Sequence, residues 1–232
     1  MSELKHIFFD LDHTLWDFQA NSRAALTEIH SSLKLTEKGV GNLEAFLKAY
    51  EEENEKCWKL YREGRMTKDV LRSERFLQAF RRFGVEDESV AKQAGDRYIE
   101  ISPRKTALVA GTLELLDHLA NRNYRLHILT NGFEEVQHLK VERSGLAPYF
   151  ERVITSEQVG VKKPHPEAFL AAMRQSSARA HESMMIGDNL EVDVIGARKV
   201  GMLEAFFNPD GQEHNEELHL EIRQLLELKS HL

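Results

Sequence analysis

Two carboxylates one residue apart close the first apolar segment of the chain: Asp10-Leu11-Asp12-His13-Thr14 follows His6-Ile7-Phe8-Phe9. Side chains alternate along extended backbone, so Asp10 and Asp12 are expected on the same side. Two acids this close call for a cation, and an all-oxygen donor set favours a hard divalent ion such as Mg²⁺, with Mn²⁺ accepting the same donors. Backbone amides at a strand end can also turn toward an anion. Taken alone, the segment equally describes an Asp/Thr pair capping a helix. Three further clusters change that balance. Thr130-Asn131 offers a hydroxyl and an amide to phosphate oxygens, or simply makes a turn. The run Gly160-Val161-Lys162-Lys163-Pro164-His165-Pro166 puts an ammonium just before a proline-led helix start, a stiff mount for a point charge, though lysines are also ordinary solvated charge. Gly187-Asp188-Asn189, with Asp193 further on, adds carboxylates able to close a metal site, or an N-cap. Carboxylate, phosphate donors, fixed cation and metal ligands are together the parts of phosphoryl transfer, which asks for positioning and charge neutralisation.

The elements that must position these groups read as buried parallel strands, each a short apolar run that stops at polar or small residues. The runs are His6-Ile7-Phe8-Phe9, Arg125-Leu126-His127-Ile128-Leu129, Arg152-Val153-Ile154, Met184-Met185-Ile186 and Glu204-Ala205-Phe206-Phe207. Helix-length stretches alternate with the later ones. In 112–121, Thr112 is the expected N-cap and Leu113, Leu116 and Ala120 the expected inner face. Strand, helix, strand in alternation predicts an α/β fold with a doubly wound, Rossmann-like parallel sheet, whose ligands bind at the carboxyl ends of the strands. The polar clusters fall at those ends. The interval 17–106 is too long for one crossover and carries helical spacing instead, with Leu43, Phe46, Leu47 and Tyr50, then Leu77, Phe80 and Phe83. It predicts an inserted α-helical domain over 17–106, with a turn at Gly39 and Gly41 and a helix stop at Pro103, between core segments 1–16 and 107–232. In 218–228, Leu218, Ile222 and Leu225 predict a last helix covering the sheet rather than a partner-binding one.

Composition bounds the function. The 232 residues carry 31 basic and 38 acidic side chains, a formal net charge of −7, which argues against coating a nucleic acid polymer. Hydrophobic residues make up 41% and charged ones 30%, the balance of a globular protein. No apolar run reaches the roughly 18 residues a membrane span requires, and MSELKHIFFDLDHT turns acidic where a signal peptide turns hydrophobic, so a cytoplasmic, membrane-free setting is expected. Cys57 is the only cysteine, which rules out an intramolecular disulfide. There is no G-x-S-x-G elbow, no G-x-x-x-x-G-K-[ST] loop and no HExxH helix, and no histidine pair has metal-ligand spacing joined to a third ligand.

The four clusters, in this order and spacing, resemble the haloacid dehalogenase superfamily of phosphotransferases, in its branch with a helical cap inserted after the first strand. The resemblance spans essentially the whole chain. It implies that Asp10 is the nucleophile that becomes an aspartyl phosphate and that Asp12 is the general acid, then base. It further implies that Thr130, supported by Asn131, and Lys163 hold the phosphoryl group. Mg²⁺ would be ligated by the Asp10 carboxylate, the Asp12 backbone carbonyl and Asp188, with Asp193 behind them. Members that cleave carbon–halogen bonds lack the second aspartate of the first motif, and here Asp12 is present. His13 departs from the small or acidic residue more usual at its position. Residues 58–76, WKLYREGRMTKDVLRSERF, with Asn208-Pro209-Asp210 and the ending LEIRQLLEL, look like the bacterial pyrimidine 5′-nucleotidases of the YjjG/YfnB type. That likeness implies a small-molecule phosphate ester as partner, a nucleoside monophosphate such as UMP, dUMP or dTMP. Trp16, Phe18, Trp58 and Tyr61 are candidates to stack on a base, or are core residues; Arg65 and Lys68 are candidates for the site mouth, or surface charge. A sugar-phosphate phosphatase, a phosphomutase and a noncatalytic phosphate-binding protein are the alternative readings.

Overall fold

The computed structural model describes residues 4–232, so the first three residues of the expected core segment 1–16 lie outside it. Six strands form one sheet: β1 His6–Phe9, β2 Arg125–Thr130, β3 Phe150–Thr155, β4 Ser183–Gly187, β5 Leu203–Phe207 and β6 Leu220–Ile222. All pair in parallel, in the order β3-β2-β1-β4-β5-β6. Along β1, Ile7 and Phe9 enter a core with Leu115, Leu116, Ile128 and Ala205, while Phe8 enters a second core with Leu129, Phe169 and Met185. A strand covered on both faces has to be apolar at successive positions, and Ile7, Phe8 and Phe9 are all fully buried. The chain runs outward from β1 through β2 to β3, then returns to lay β4 on the other flank of β1. That reversal opens a crevice beyond the carboxyl ends of β1 and β4, where open parallel sheets hold their ligands.

Among the described residues the α-helices of four or more residues are α1 Phe18–Ser32, α2 Leu43–Arg62, α3 Lys68–Arg81, α4 Glu88–Ile101, α5 Thr112–Asn121, α6 Glu134–Arg143, α7 Ser156–Val159 and α8 Pro166–Gln175, with a further three-residue turn at Gly196–Arg198. The chain divides into two compact units, one of Gln19–Lys105 and one of the residues before it together with Thr106–Leu232.

The helical unit starts its helices with residues that compete well for free amides. Asn42, Thr67 and Asp87 accept from Ala45, Val70 and Val90 at the starts of α2, α3 and α4. Gly39 and Gly41 take φ of 89° and 61° between α1 and α2, and Pro103 lies in the short turn that ends α4. Its core is aromatic, with Phe46, Tyr50, Phe76, Phe80 and Tyr98. Gly95 lets α4 approach α3 closely, since a Cβ there would stand 2.5 Å from the Arg72 carbonyl oxygen. Inside this core Arg75 is 2% exposed. Its Nη1 donates to Asn54 at 3.0 Å and its guanidinium lies 4.6 Å from the Tyr98 ring centre, while Nε and Nη2 have no hydrogen-bond partner.

In the other unit, the strands flanking the inserted helices are tied to each other. Trp16 bridges Leu108 in antiparallel fashion, Asp17 N–H donates to Ala107 at 3.0 Å and Val109 N–H to Leu15 at 2.9 Å. On the neighbouring strands β1 and β2, His6 and His127 face each other at 3.1 Å between Nδ1 and Nε2. Burial lowers the basicity of both rings, that of His127 to about 4.

Two expectations are corrected. Thr112 is not an acceptor cap: its hydroxyl donates to the Val109 and Leu15 carbonyls, and the helix starts from Gly111 in the left-handed conformation. With Thr112 turned inward, the buried face of α5 is Thr112, Leu115, Leu116 and Leu119, and Leu113 is 45% exposed. The last stretch is not a single helix. Leu220–Ile222 adds a strand to the edge of β5, Gln224 is extended, and only Leu225–Ser230 coils, as a 3₁₀ segment. The edge of β5 offers a full set of backbone hydrogen bonds, and strand plus tight coil still bury Ile222, Leu225 and Leu228.

Candidate active site

Asp10 is the first residue beyond β1, and its N–H still donates to Ile186 of β4 at 2.9 Å. This continues the sheet by one residue and fixes the side chain over the crevice. Lys163 reaches it from the loop before α8: Nζ lies 2.7 Å from Asp10 Oδ1, 2.7 Å from Asp193 Oδ1 and 2.6 Å from the Leu129 carbonyl. The ammonium is 2% exposed. Burial alone would lower its basicity, but the charges of Asp10 and Asp193 outweigh that and raise it.

Asn131 explains how Lys163 is held. Its amide donates to the Lys163 carbonyl at 2.9 Å and its oxygen accepts the Lys163 N–H at 2.8 Å. Both ends of the side chain are thus committed to that backbone, so Asn131 holds the lysine loop rather than presenting its amide outward. Thr130, at the end of β2, is 2% exposed; it accepts from the Gly132 N–H at 3.1 Å and donates to Gln137 at 3.2 Å.

Asp188 follows β4 and accepts from the fully buried Thr14 hydroxyl at 3.0 Å. Asp193, in the single turn of π-helix over Leu190–Ile195, accepts from the Asn189 N–H at 3.2 Å. Gly187 makes room for it, because a Cβ there would fall 2.4 Å from Asp193 Oδ2. Asp10, Asp188 and Asp193 form one group whose ligand oxygens lie within 4.8 Å of one another. Burial lifts the Asp10 carboxyl to about 7 against the pull of Lys163, with Asp193 and Asp12 adding like charge. Burial, then the charges of Asp10 and Asp193, lifts Asp188 well above the usual carboxylate range. A single lysine therefore does not neutralise this group. Three convergent, under-compensated carboxylates fit a hard divalent cation.

Asp12 has different company. Its Oδ1 lies 2.5 Å from Lys140 Nζ and its Oδ2 accepts from Gln137 Nε2 at 3.0 Å, both from α6. The two carboxylates of the first motif thus do not share one cation: Asp10 faces Lys163 and the other acids, Asp12 faces α6. Gln137 and Lys140 were missed from the sequence. The signal was there, since Val136 and Val141 set the buried face of α6 and that face also carries Gln137 and Lys140, 1% and 3% exposed.

Of the stacking candidates, Trp16 is fully buried, with Lys140 Nζ 3.9 Å from its ring centre. Phe18 is partly buried beside the His13 ring, which sits on a left-handed backbone at φ 66°. In the helical unit, Trp58 and Tyr61 pack edge to face with centres 5.5 Å apart; Arg65 is exposed and paired with Glu63, and Lys68 opens α3.

The chain belongs to the haloacid dehalogenase-like hydrolases, whose family model matches residues 4–201. It is therefore an enzyme of a hydrolase family. It is 34% identical over 229 residues to the pyrimidine 5′-nucleotidase PynA of Streptococcus pneumoniae, covering 98% of this chain and 92% of that one. It is 28% identical over 211 residues to the pyrimidine 5′-nucleotidase YjjG of Escherichia coli, with 90% and 88% covered. Among solved structures, the HAD-hydrolase YfnB of Bacillus subtilis bound to magnesium superposes with a TM-score of 0.87 at 27% identity, over 99% of this chain and 98% of that one.

Proposed function

We propose that the enzyme is a Mg²⁺-dependent phosphomonoester hydrolase that works through an aspartyl phosphate, a 5′-nucleotidase for pyrimidine nucleoside monophosphates such as UMP, dUMP and dTMP. The observation that carries this reading is the Asp10 carboxylate set between the buried Lys163 ammonium and the acids Asp188 and Asp193, at the reversal of the sheet. Asp10, Asp188 and the Asp12 backbone carbonyl would hold the ion, which supplies charge neutralisation for two anions brought together. Mn²⁺ suits the same oxygens.

An Asp10 oxygen attacks phosphorus while the ester P–O bond breaks, and Asp12 gives its proton to the departing alkoxide. In the second step Asp12 takes a proton from water as the water oxygen attacks phosphorus, and the bond to Asp10 breaks to release phosphate. Thr130 and Lys163 hold the phosphoryl oxygens, and Asn131 holds Lys163 in place. A small phosphate ester is the partner, and the relatives' names support the nucleotide class. Among the described residues no helix is long and apolar enough to cross a membrane. Cytoplasmic work fits a chain whose one cysteine is buried and unpaired.

The test is phosphate release from a panel of nucleoside monophosphates and sugar phosphates, with Mg²⁺ or with EDTA, beside Asp10→Asn. Mg²⁺-dependent release that peaks at a pyrimidine nucleotide and is absent in the variant is the expected result. A sugar phosphate as the best substrate would keep the chemistry and overturn the substrate. Transfer of the phosphoryl group to a second sugar hydroxyl, with no free phosphate, would make the enzyme a mutase.

A further inference from the structure

Helix α6 presents two polar side chains, one turn apart, to a single carboxylate. Lys140 Nζ sits 2.5 Å from Asp12 Oδ1 and Gln137 Nε2 donates to Asp12 Oδ2 at 3.0 Å, so both oxygens of Asp12 are held. Neither donor is an ordinary surface group, since Lys140 is 3% and Gln137 1% exposed. Lys140 lies against aromatic faces, 3.9 Å from the Trp16 ring centre and 5.7 Å from that of Phe18, which keep its ammonium out of water. Gln137 makes one further bond: its oxygen accepts the Thr130 hydroxyl at 3.2 Å. The backbone makes room for this amide, because a Cβ on Gly132 would fall 2.1 Å from Gln137 Nε2. Burying a lysine is costly, and here the ammonium meets one carboxylate, the one assigned to proton transfer.

We infer that Gln137 and Lys140 are positioning residues that set the Asp12 carboxyl for proton transfer at the ester oxygen, with Gln137 itself anchored by the Thr130 hydroxyl at the end of β2. The inference rests on the reading of Asp12 as general acid and base. It has a consequence that a merely structural pair would not produce. An alkyl phosphate needs a proton delivered to its leaving oxygen, whereas p-nitrophenyl phosphate expels a stable phenolate without one.

The experiment compares kcat/KM for UMP, or the best alkyl phosphate in the panel, with kcat/KM for p-nitrophenyl phosphate, in the full-length enzyme with Mg²⁺. Lys140→Met is expected to lower the alkyl value about 10²-fold and the aryl value less than about 10-fold. Lys140→Arg, which restores a cationic donor, is expected to recover part of the alkyl rate. Gly132→Ala, which displaces Gln137 and leaves Lys140 in place, is expected to show a smaller loss with the same ester preference. It serves as the test if Lys140→Met does not fold by thermal melting. Equal losses on both esters would overturn the inference. Asp12→Asn separates the two levels of the argument. If it is ester-selective and the α6 variants are not, only the positioning role fails; if it is itself unselective, the acid–base reading of Asp12 fails and the positioning role with it.

Discussion

Two cations are buried to the same degree in this molecule and compensated in opposite ways. Lys163, in the sheet unit, meets two carboxylates and a carbonyl, all within 2.7 Å. Arg75, in the helical unit, meets one side-chain amide at 3.0 Å and the faces of Tyr98, Phe76 and Tyr50. The first arrangement is ionic and over-supplied with negative charge, so a bound ion or phosphate can rebalance it. The second is a cation on aromatic quadrupoles, which nothing in its surroundings would exchange. Burial of charge alone therefore does not mark a reactive site; convertible compensation does.

The contrast is broken or sharpened by four measurements. On the proposed function, Lys163→Met should cut kcat for phosphate release by about 10²–10³-fold, because it removes the buried cation beside Asp10 that would hold the transferring group. Its melting temperature should also become more Mg²⁺-dependent, since Asp10, Asp188 and Asp193 then lack any cation of the protein's own. A loss below tenfold would remove Lys163 from the chemistry.

The histidine pair on β1 and β2 extends the comparison to buried bases whose charged form is disfavoured. His127 binds its proton near 4 in the folded protein, against an ordinary 6.5. The unfolded chain therefore takes up the proton first, and the folded state loses up to about 3 kcal/mol as pH falls from 6.5 to 4. Asp10 works in the other direction in the metal-free protein. Its folded value of about 7 lies above the usual 3.8, so its contribution weakens the fold as pH rises through that window. Thermal melts with saturating Mg²⁺ should expose the histidine slope, and His127→Gln should flatten it; an unchanged slope would assign it elsewhere.

Gly95→Ala should destabilise the helical unit by about 1–3 kcal/mol by driving α4 off the Arg72 carbonyl, read as faster proteolysis within Gln19–Lys105. Arg75→Met should cost about 1–2 kcal/mol through the lost amide bond and ring contacts, with kcat within about twofold of wild type. A large fall in kcat at unchanged melting temperature would break the comparison, because Arg75 would then be part of the chemistry.

The strands were legible because parallel strands covered on both faces leave uninterrupted apolar runs, and their polar ends mark the crevice. The inserted helices were legible through their spacing and their glycine and proline punctuation. What sequence reasoning could not give was set by tertiary partners. Leu113 fits a helical face as well as Leu115 does, and only the inward turn of Thr112 decides between them. Leu218, Ile222 and Leu225 have helical spacing, yet the free edge of β5 recruits part of that stretch as a strand. At the site, the pairing of Asp10 with Asp12 was drawn from two-residue alternation, while the cation that meets Asp12 comes from α6, far along the chain. Lys140 in isolation looks like any helix-surface lysine; only its place on the buried Val136–Val141 face distinguishes it.

The bridge between Trp16 and Leu108 carries a consequence for modularity. Because Asp17 bonds to Ala107 and Val109 to Leu15, the sheet unit has its own closed seam where the helical unit departs and returns. The entropy of closing that gap is offset by pairing within the sheet unit, and it rises only slowly with the length of chain between. A version with Gln19–Lys105 replaced by a short glycine–serine tether should thus fold. The same seam would accept a foreign helical insert, making the locus a socket into which evolution or design can fit a new insertion while the sheet unit keeps its own pairing.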